Sequence, residues 1–220
     1  MKNCNKIVIF DWGGIIESHR DGEYNIREAI KDLMKKFNCK LSDQEIIDIY
    51  SSCSVLNDNK SIGTYNDESK TVEWFNNVKY KLNLDCTIDE FVQAYYEDYK
   101  KIYYYKDVVE YAHSLKNICN TGIFSNLMKL DGKRINDQVN LSMFDHVFLS
   151  YELGYKKPDV KAYEKVENAL NISPSNILFI DDTKENIEVA KQRGWNTCHA
   201  YGYELDKIKQ SVNSFLEDIN

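Results

Sequence analysis

A short apolar run, Ile7-Val-Ile-Phe10, stands alone near the start of the chain, and the next run of its kind begins only at Ile118. β-Branched and aromatic residues without polar alternation suit a strand covered on both faces. A lone strand cannot satisfy its own backbone hydrogen bonds, so this one must pair with strands far later in the sequence. The residues between carry a helical period. After a polar loop over 17–25, Ile26, Ala29, Ile30, Leu33 and Phe37 recur on one face. Ser42 with Glu45 forms a capping box ahead of Ile46, Ile47, Ile49 and Tyr50, and Thr87 with Glu90 another ahead of Phe91, Ala94 and Tyr95. Val72, Trp74, Phe75, Val78 and Leu82 give a helix between these two, after a polar loop expected over 57–70.

Beyond residue 103 the texture changes. A helix over 107–116 leads into an apolar run over 118–124, and a short strand is expected at 147–149, followed by a polar loop. A helix over 160–170, a strand at 177–180 and a helix that closes at Gly194 come next, then a strand over 195–200 and a helix over 205–219. Strands alternating with helices predict an α/β fold, a doubly wound (Rossmann-like) parallel sheet. Residues 1–16 and 104–220 are expected to form its core, and 17–103 an inserted α-helical cap domain.

Composition narrows the class. Hydrophobic residues at 43% and charged residues at 29% describe an ordinary globular chain. A net charge of −7 without any Lys/Arg block argues against a nucleic-acid or anionic-membrane surface. The six cysteines, Cys4, Cys39, Cys53, Cys86, Cys119 and Cys198, show no metal-site or disulfide spacing, which suits a reducing, cytoplasmic setting. The few apolar residues before Asp11 are too short for a signal peptide or a membrane span. Nothing in the sequence sets the oligomeric state.

In an open α/β sheet, ligands bind beyond the carboxyl ends of the strands. Those ends carry Asp11, Ser125-Asn126, the loop with Lys156-Lys157, and Asp181-Asp182. Three carboxylates on one edge repel one another unless a cation neutralises them, and hard oxygen donors favour Mg²⁺. Each group also has an ordinary alternative. Asp11 is a turn residue ahead of Gly13 and Gly14, Ser125-Asn126 a helix N-cap, and Asp181-Asp182 another cap. Lys157, before Pro158, is a solvated loop lysine, and Asn186 a solvent-facing helix residue.

Taken in order, Phe-Asp11-Trp-Gly-Gly, Phe-Ser125-Asn126, the segment from Ser150 to Lys157-Pro158, and Ile-Asp181-Asp182-Thr-Lys-Glu-Asn186 resemble the four motifs of the haloacid dehalogenase superfamily. The match is to its phosphatase-rich branch with a helical cap inserted after the first motif. The resemblance implies an Mg²⁺-dependent phosphatase acting on a small phosphorylated metabolite, such as a sugar phosphate, through an aspartyl phosphate. Asp11 would be the nucleophile and would bind Mg²⁺ with Asp182 and the carbonyl of Gly13. Lys157 would neutralise charge between Asp11 and the phosphoryl group. The Ser125 hydroxyl and the Asn126 N–H would hold phosphoryl oxygens at a helix N-terminus, and Asp181 would orient Lys157 or a metal-bound water.

One position departs from the pattern. Most phosphatases of the superfamily carry a second Asp two residues after the nucleophile, which protonates the leaving alcohol; here that position is Gly13. Three explanations stand: a leaving group that needs little help, another proton donor, for which His19 is nearest, or a weak or non-catalytic phosphate-binding protein. His19 also reads as an exposed loop histidine. Glycine at this position is familiar in a sub-branch containing sugar-phosphate phosphatases. The dehalogenase branch also lacks the second Asp, but it needs no metal, and Asp182 points away from it. In the cap, Tyr95, Tyr96, Tyr99 and Tyr103–Tyr105 either pack the helix and its hinge or contact substrate or a second subunit, and Trp12 is either cleft wall or core.

Overall fold

The computed structural model describes residues 5–53 and 68–217. Five parallel strands form one sheet: β1 (Ile7–Phe10), β2 (Asn120–Ser125), β3 (His146–Leu149), β4 (Ile177–Asp181) and β5 (Asn196–His199), in the order β3-β2-β1-β4-β5. The N-terminal run is thus the central strand, bonded to β2 on one side and β4 on the other. Its side chains alternate between two cores. Ile7 and Ile9 join Phe124, Tyr163, Phe179 and Ile187 on the face covered by α8 (Val160–Leu170) and α9 (Lys184–Gln192). Val8 and Phe10 face the opposite layer, made by α5 (Lys106–Ser114), α6 (Lys129–Gln138) and α10 (Leu205–Glu217). Burial on both faces is why no polar alternation marks the strand. No disulfide joins the five cysteines among the described residues.

Between β1 and β2 the chain forms α1 (Ile26–Lys36), α2 (Asp43–Ser52), α3 (Glu68–Leu82) and α4 (Ile88–Tyr99). They pack around a separate cluster that includes Leu33, Ile46, Trp74, Phe75, Phe91 and Tyr95. Trp74 meets Tyr50, Phe91 and Tyr95 edge-on, the arrangement that aromatic quadrupoles favour. Both capping boxes form as expected. Residues 57–67 of the expected loop, Cys4 and the end of the last helix lie outside the described residues, while residues 68–70 already belong to α3. Val72 does not share the buried face of α3; it is exposed.

Two short helices escape the sequence pattern. The loop expected after β3 begins with α7 (Ser150–Leu153), a single turn. The other, α6, buries Asp131, Gly132, Arg134 and Ile135, so its inward face is mostly polar and no apolar period betrays it. No helix among the described residues is long and apolar enough to cross a membrane.

The capping boxes supply a direct check on the α1–α4 bundle. Thr87→Ala removes the hydroxyl that takes the Glu90 N–H and should cost about 1 kcal/mol in urea unfolding. An unchanged midpoint would mean that this cap is idle.

Candidate active site

Strand register brings the proposed groups to one edge. Phe10 pairs with Ile123 and with Ile180, so Asp11 follows β1 level with the ends of β2 and β4, where Ser125 and Asp181 sit. The chain runs from β1 to β2 and β3 on one side and returns to β4 and β5 on the other. The crevice at that reversal is where open α/β sheets bind ligands.

Lys157 reaches this edge from the loop before α8. It is 2% exposed, and its Nζ lies 2.9 Å from Asp11 Oδ1 and 2.7 Å from Asp181 Oδ2, while also donating to the Phe124 carbonyl at 2.8 Å. Burial works against its positive charge, but the two carboxylates outweigh it and hold the ammonium pKa above the ordinary lysine value. Burial pushes the Asp11 carboxyl up to about 7, with Lys157 and the Ser125 hydroxyl pulling it down and Asp181 pushing it up. Asp181 is completely buried; it accepts from the Thr183 N–H at 2.7 Å and from Asn186 Nδ2 at 2.9 Å. Neither Lys157 nor Asn186 faces solvent, which removes the ordinary alternatives for both.

The loops are locked to one another. Asn126 exchanges two 2.8 Å hydrogen bonds with the Lys157 backbone through its side-chain amide. Ser150 Oγ bonds both the N–H and the carbonyl of Leu127 at 3.0 Å. Ser125 is the last residue of β2, and α6 begins only at Lys129 behind the Met128 cap, so Ser125-Asn126 does not form the helix N-terminus expected of it. Asn126 instead spends its side chain on placing Lys157.

Asp11, Asp181 and Asp182 each offer an oxygen within 4.8 Å of the others. Asp11 and Asp181 share the Lys157 ammonium, whereas the ionic contact of Asp182 is to His19 Nδ1 at 3.7 Å. Such a donor set fits a small divalent cation, whose charge would oppose both the burial and the lesser Asp181 repulsion that raise the Asp11 carboxyl. The approach of Asp182 depends on Gly14. That residue has φ +72°, and a Cβ there would lie 2.2 Å from Asp182 Oδ2. At Gly13 a Cβ would meet the His19 ring at 2.8 Å. The imidazole thus fills the space in which a side chain at position 13 would stand. His19 is half-exposed and lines the cavity; burial lowers its pKa, and Asp182 more than restores it, to above the ordinary histidine value.

A cavity of about 290 Å³ opens between this edge and the α1–α4 bundle. Asp11, Gly13, Ser125, Asn126, Lys157 and Asp182 line its floor; Ile26, Tyr50, Trp74, Tyr95 and Tyr99 come from the bundle. Trp12 belongs to the wall and to the core at once, donating from Nε1 to Glu17 at 3.1 Å. Of the tyrosines, Tyr95 and Tyr99 reach the cavity, Tyr103 is exposed and Tyr105 packs in the sheet core. Glu17, Asp131 and Arg134 also line it. Nothing in the local residue pattern marks these three, because isolated charges on a loop or helix read as solvated.

The family model of haloacid dehalogenase-like hydrolases matches residues 8–200, and the chain belongs to that family. A D-ribitol-5-phosphate phosphatase of Bacteroides thetaiotaomicron is 34% identical over 67 residues, 30% of each chain. An enolase-phosphatase E1 of Yersinia pestis is 43% identical over 42 residues, 19% of this chain and 18% of that one. The chain therefore spans less than a third of the length of these curated relatives. Among solved structures, a HAD-family enzyme of Bacteroides thetaiotaomicron in magnesium complex superposes with TM-score 0.68 at 18% identity, over 90% of this chain and 93% of that one. The L-2-haloacid dehalogenase of Xanthobacter autotrophicus gives 0.59 at 16%, over 87% and 76%. At these identities the likeness concerns the fold.

The two glycines should respond differently. Gly14→Ala, with its positive φ and the Asp182 carboxylate in the way, should cost about 2 kcal/mol or more in urea unfolding. Gly13→Ala displaces only the end of a half-exposed ring and should cost below about 1 kcal/mol while shifting the His19 imidazole resonances. Equal costs, or an unmoved His19, would contradict the packing described.

Proposed function

We propose that the protein is an Mg²⁺-dependent phosphatase that hydrolyses a small phosphorylated metabolite through an aspartyl phosphate on Asp11. The observation that carries this reading is the placement of Lys157 between Asp11 and Asp181 with Asp182 alongside. The names of the matched relatives, both phosphatases, support it, as does a neighbouring HAD-family structure crystallised with magnesium and inorganic phosphate.

The roles follow from the atoms present. Lys157 and the Trp12 N–H both fall on Asp11 Oδ1, which fixes the carboxylate while Oδ2 carries neither bond. Asp11 attacks phosphorus, and its bond forms as the ester oxygen leaves. Lys157 offsets charge between carboxylate and phosphoryl oxygens at no reorganisation cost, because it is held in place beforehand. Ser125 and the Asn126 N–H receive the phosphoryl oxygens, and Asp181, buried and bonded by Asn186 and Thr183, orients Lys157. Asp11, Asp182 and the Gly13 carbonyl would hold Mg²⁺, which when bound supplies Lewis-acid stabilisation of the phosphoryl oxygens. The backbone bonds that flank Gly13, from Glu17 N–H to Trp12 and from Gly14 N–H to Glu17, do not use its carbonyl.

Residues 17–103 act as the cap over this site, consistent with their separate hydrophobic cluster and their share of the cavity wall. No side chain at position 13 can protonate the leaving alcohol. The group over that position is His19, which becomes the candidate donor by place alone. A cavity of this size suits a sugar phosphate or similar small ester and sits at the low end for ligand pockets. The alternatives are a dehalogenase, which has no use for a cation beside Asp182, and a protein that binds phosphate without turnover.

Hydrolysis of p-nitrophenyl phosphate separates them. Activity should require Mg²⁺, vanish with EDTA and fall at least about 10³-fold in Asp11→Asn. Wild-type rates equal to those of the mutant would leave binding without catalysis. A haloacid turned over despite EDTA would establish the dehalogenase.

A further inference from the structure

Asp11 leads into a closed turn. The Trp12 carbonyl accepts from the N–H groups of Ile16 and Glu17, each at 2.8 Å, and the Gly14 N–H donates to the Glu17 carbonyl at 2.8 Å. The far end of the turn is anchored from outside: the Gly202 N–H donates to the Gly14 carbonyl and the Tyr105 N–H to the Ile16 carbonyl, both at 2.8 Å. The near end, next to Asp11, is anchored by a side chain. Glu17 Oε2 accepts from the Trp12 indole N–H at 3.1 Å and from Arg134 Nη1 at 2.6 Å. Arg134 is held in turn on α6, by Gln138 Oε1 at 3.0 Å and Asp131 Oδ1 at 3.4 Å. Trp12, Glu17 and Arg134 are all buried. Burial opposes the charge on Arg134, but Glu17 and Asp131 outweigh it and keep the guanidinium charged.

We infer that Glu17 is a positioning residue, which acts through Trp12 to aim the Asp11 carboxylate at phosphorus. The inference rests on the phosphatase reading and deepens it. Trp12 gives its backbone N–H to Asp11 Oδ1 at 2.6 Å, so the placement of this one residue bears directly on the carboxylate. Lys157 holds the same oxygen from the sheet side, and Glu17 locks the turn side. Stability alone does not account for the buried pair. Replacing such a pair by apolar residues of similar volume is often neutral or stabilising. What the charge adds is a firm grip. An ionised acceptor makes shorter and stronger bonds than a neutral one, and here a single oxygen holds both the indole and the guanidinium. Small displacements matter at this place, since a shift of about 1 Å in a reacting group can cost about 10²-fold in rate.

Replacing the pair as a unit separates aiming from stability. Glu17→Leu combined with Arg134→Met removes both charges at similar volume and should unfold in urea near the wild-type midpoint. With Mg²⁺ bound, this double variant should keep KM for p-nitrophenyl phosphate and inhibition by inorganic phosphate within about threefold of wild type, while kcat falls about 10²-fold. Glu17→Gln keeps an oxygen for the indole and should hold kcat within about tenfold of wild type. Trp12→Phe keeps the ion pair and an aromatic ring but removes the indole N–H. It should lower kcat in the wild-type background and add no further loss in the double variant. It also decides the matter if the double variant does not fold. A stable double variant with full kcat, a loss confined to KM, losses that simply add, or a Trp12→Phe enzyme with unchanged kcat would overturn the inference and leave the phosphatase reading standing. A wild type that hydrolyses no phosphate ester would remove both.

Discussion

The ammonium of Lys157, buried between Asp11 and Asp181, is the interaction on which the site depends. Two carboxylates this close to one another and to Asp182 would not remain ionised in a dry crevice without it. Its position is over-determined: Asn126 grips its backbone, the Phe124 carbonyl accepts a hydrogen bond from its Nζ, and Asn186 and Thr183 fix Asp181 from the other side. Removing one partner of such a pair strands the other charge, at a cost of roughly 3–5 kcal/mol. Stability and the proposed chemistry therefore draw on the same contacts.

That arrangement is made possible by register. Because β1 is central and lies between β2 and β4, the residue after Phe10 is level with the ends of two strands that come much later in the chain. The α1–α4 helices are spliced in where the chain leaves that strand, and the cavity forms between them and the sheet edge. Gly14 is the geometric condition for this close meeting, since a side chain there would strike Asp182.

Much of this was legible in the residues. The doubly wound sheet follows from apolar runs, each ended by a polar group, alternating with helices, and both capping boxes formed as written. Asp11, Ser125, Lys157, Asp181 and Asp182 stand at strand ends or in the loops beside them, where position alone makes a polar residue conspicuous. The bounds of the α6 helix were illegible because its buried face is Asp131, Gly132, Arg134 and Ile135, and periodicity detects only apolar faces. Its charged residues find partners in Glu17 and Tyr95, and such pairings across long sequence distances leave no local trace. The meaning of Gly13 was likewise hidden. Sequence shows a missing carboxylate, whereas the structure shows its space filled by His19 from the same loop.

The central claim is that Asp11 itself takes the phosphoryl group. Quenching the Mg²⁺-loaded enzyme in acid during turnover of p-nitrophenyl phosphate, then mapping peptides by mass, tests it directly. The account predicts one added phosphoryl group on the peptide containing Asp11, absent from Asp11→Asn. A phosphoryl group found on Ser125 instead would contradict it.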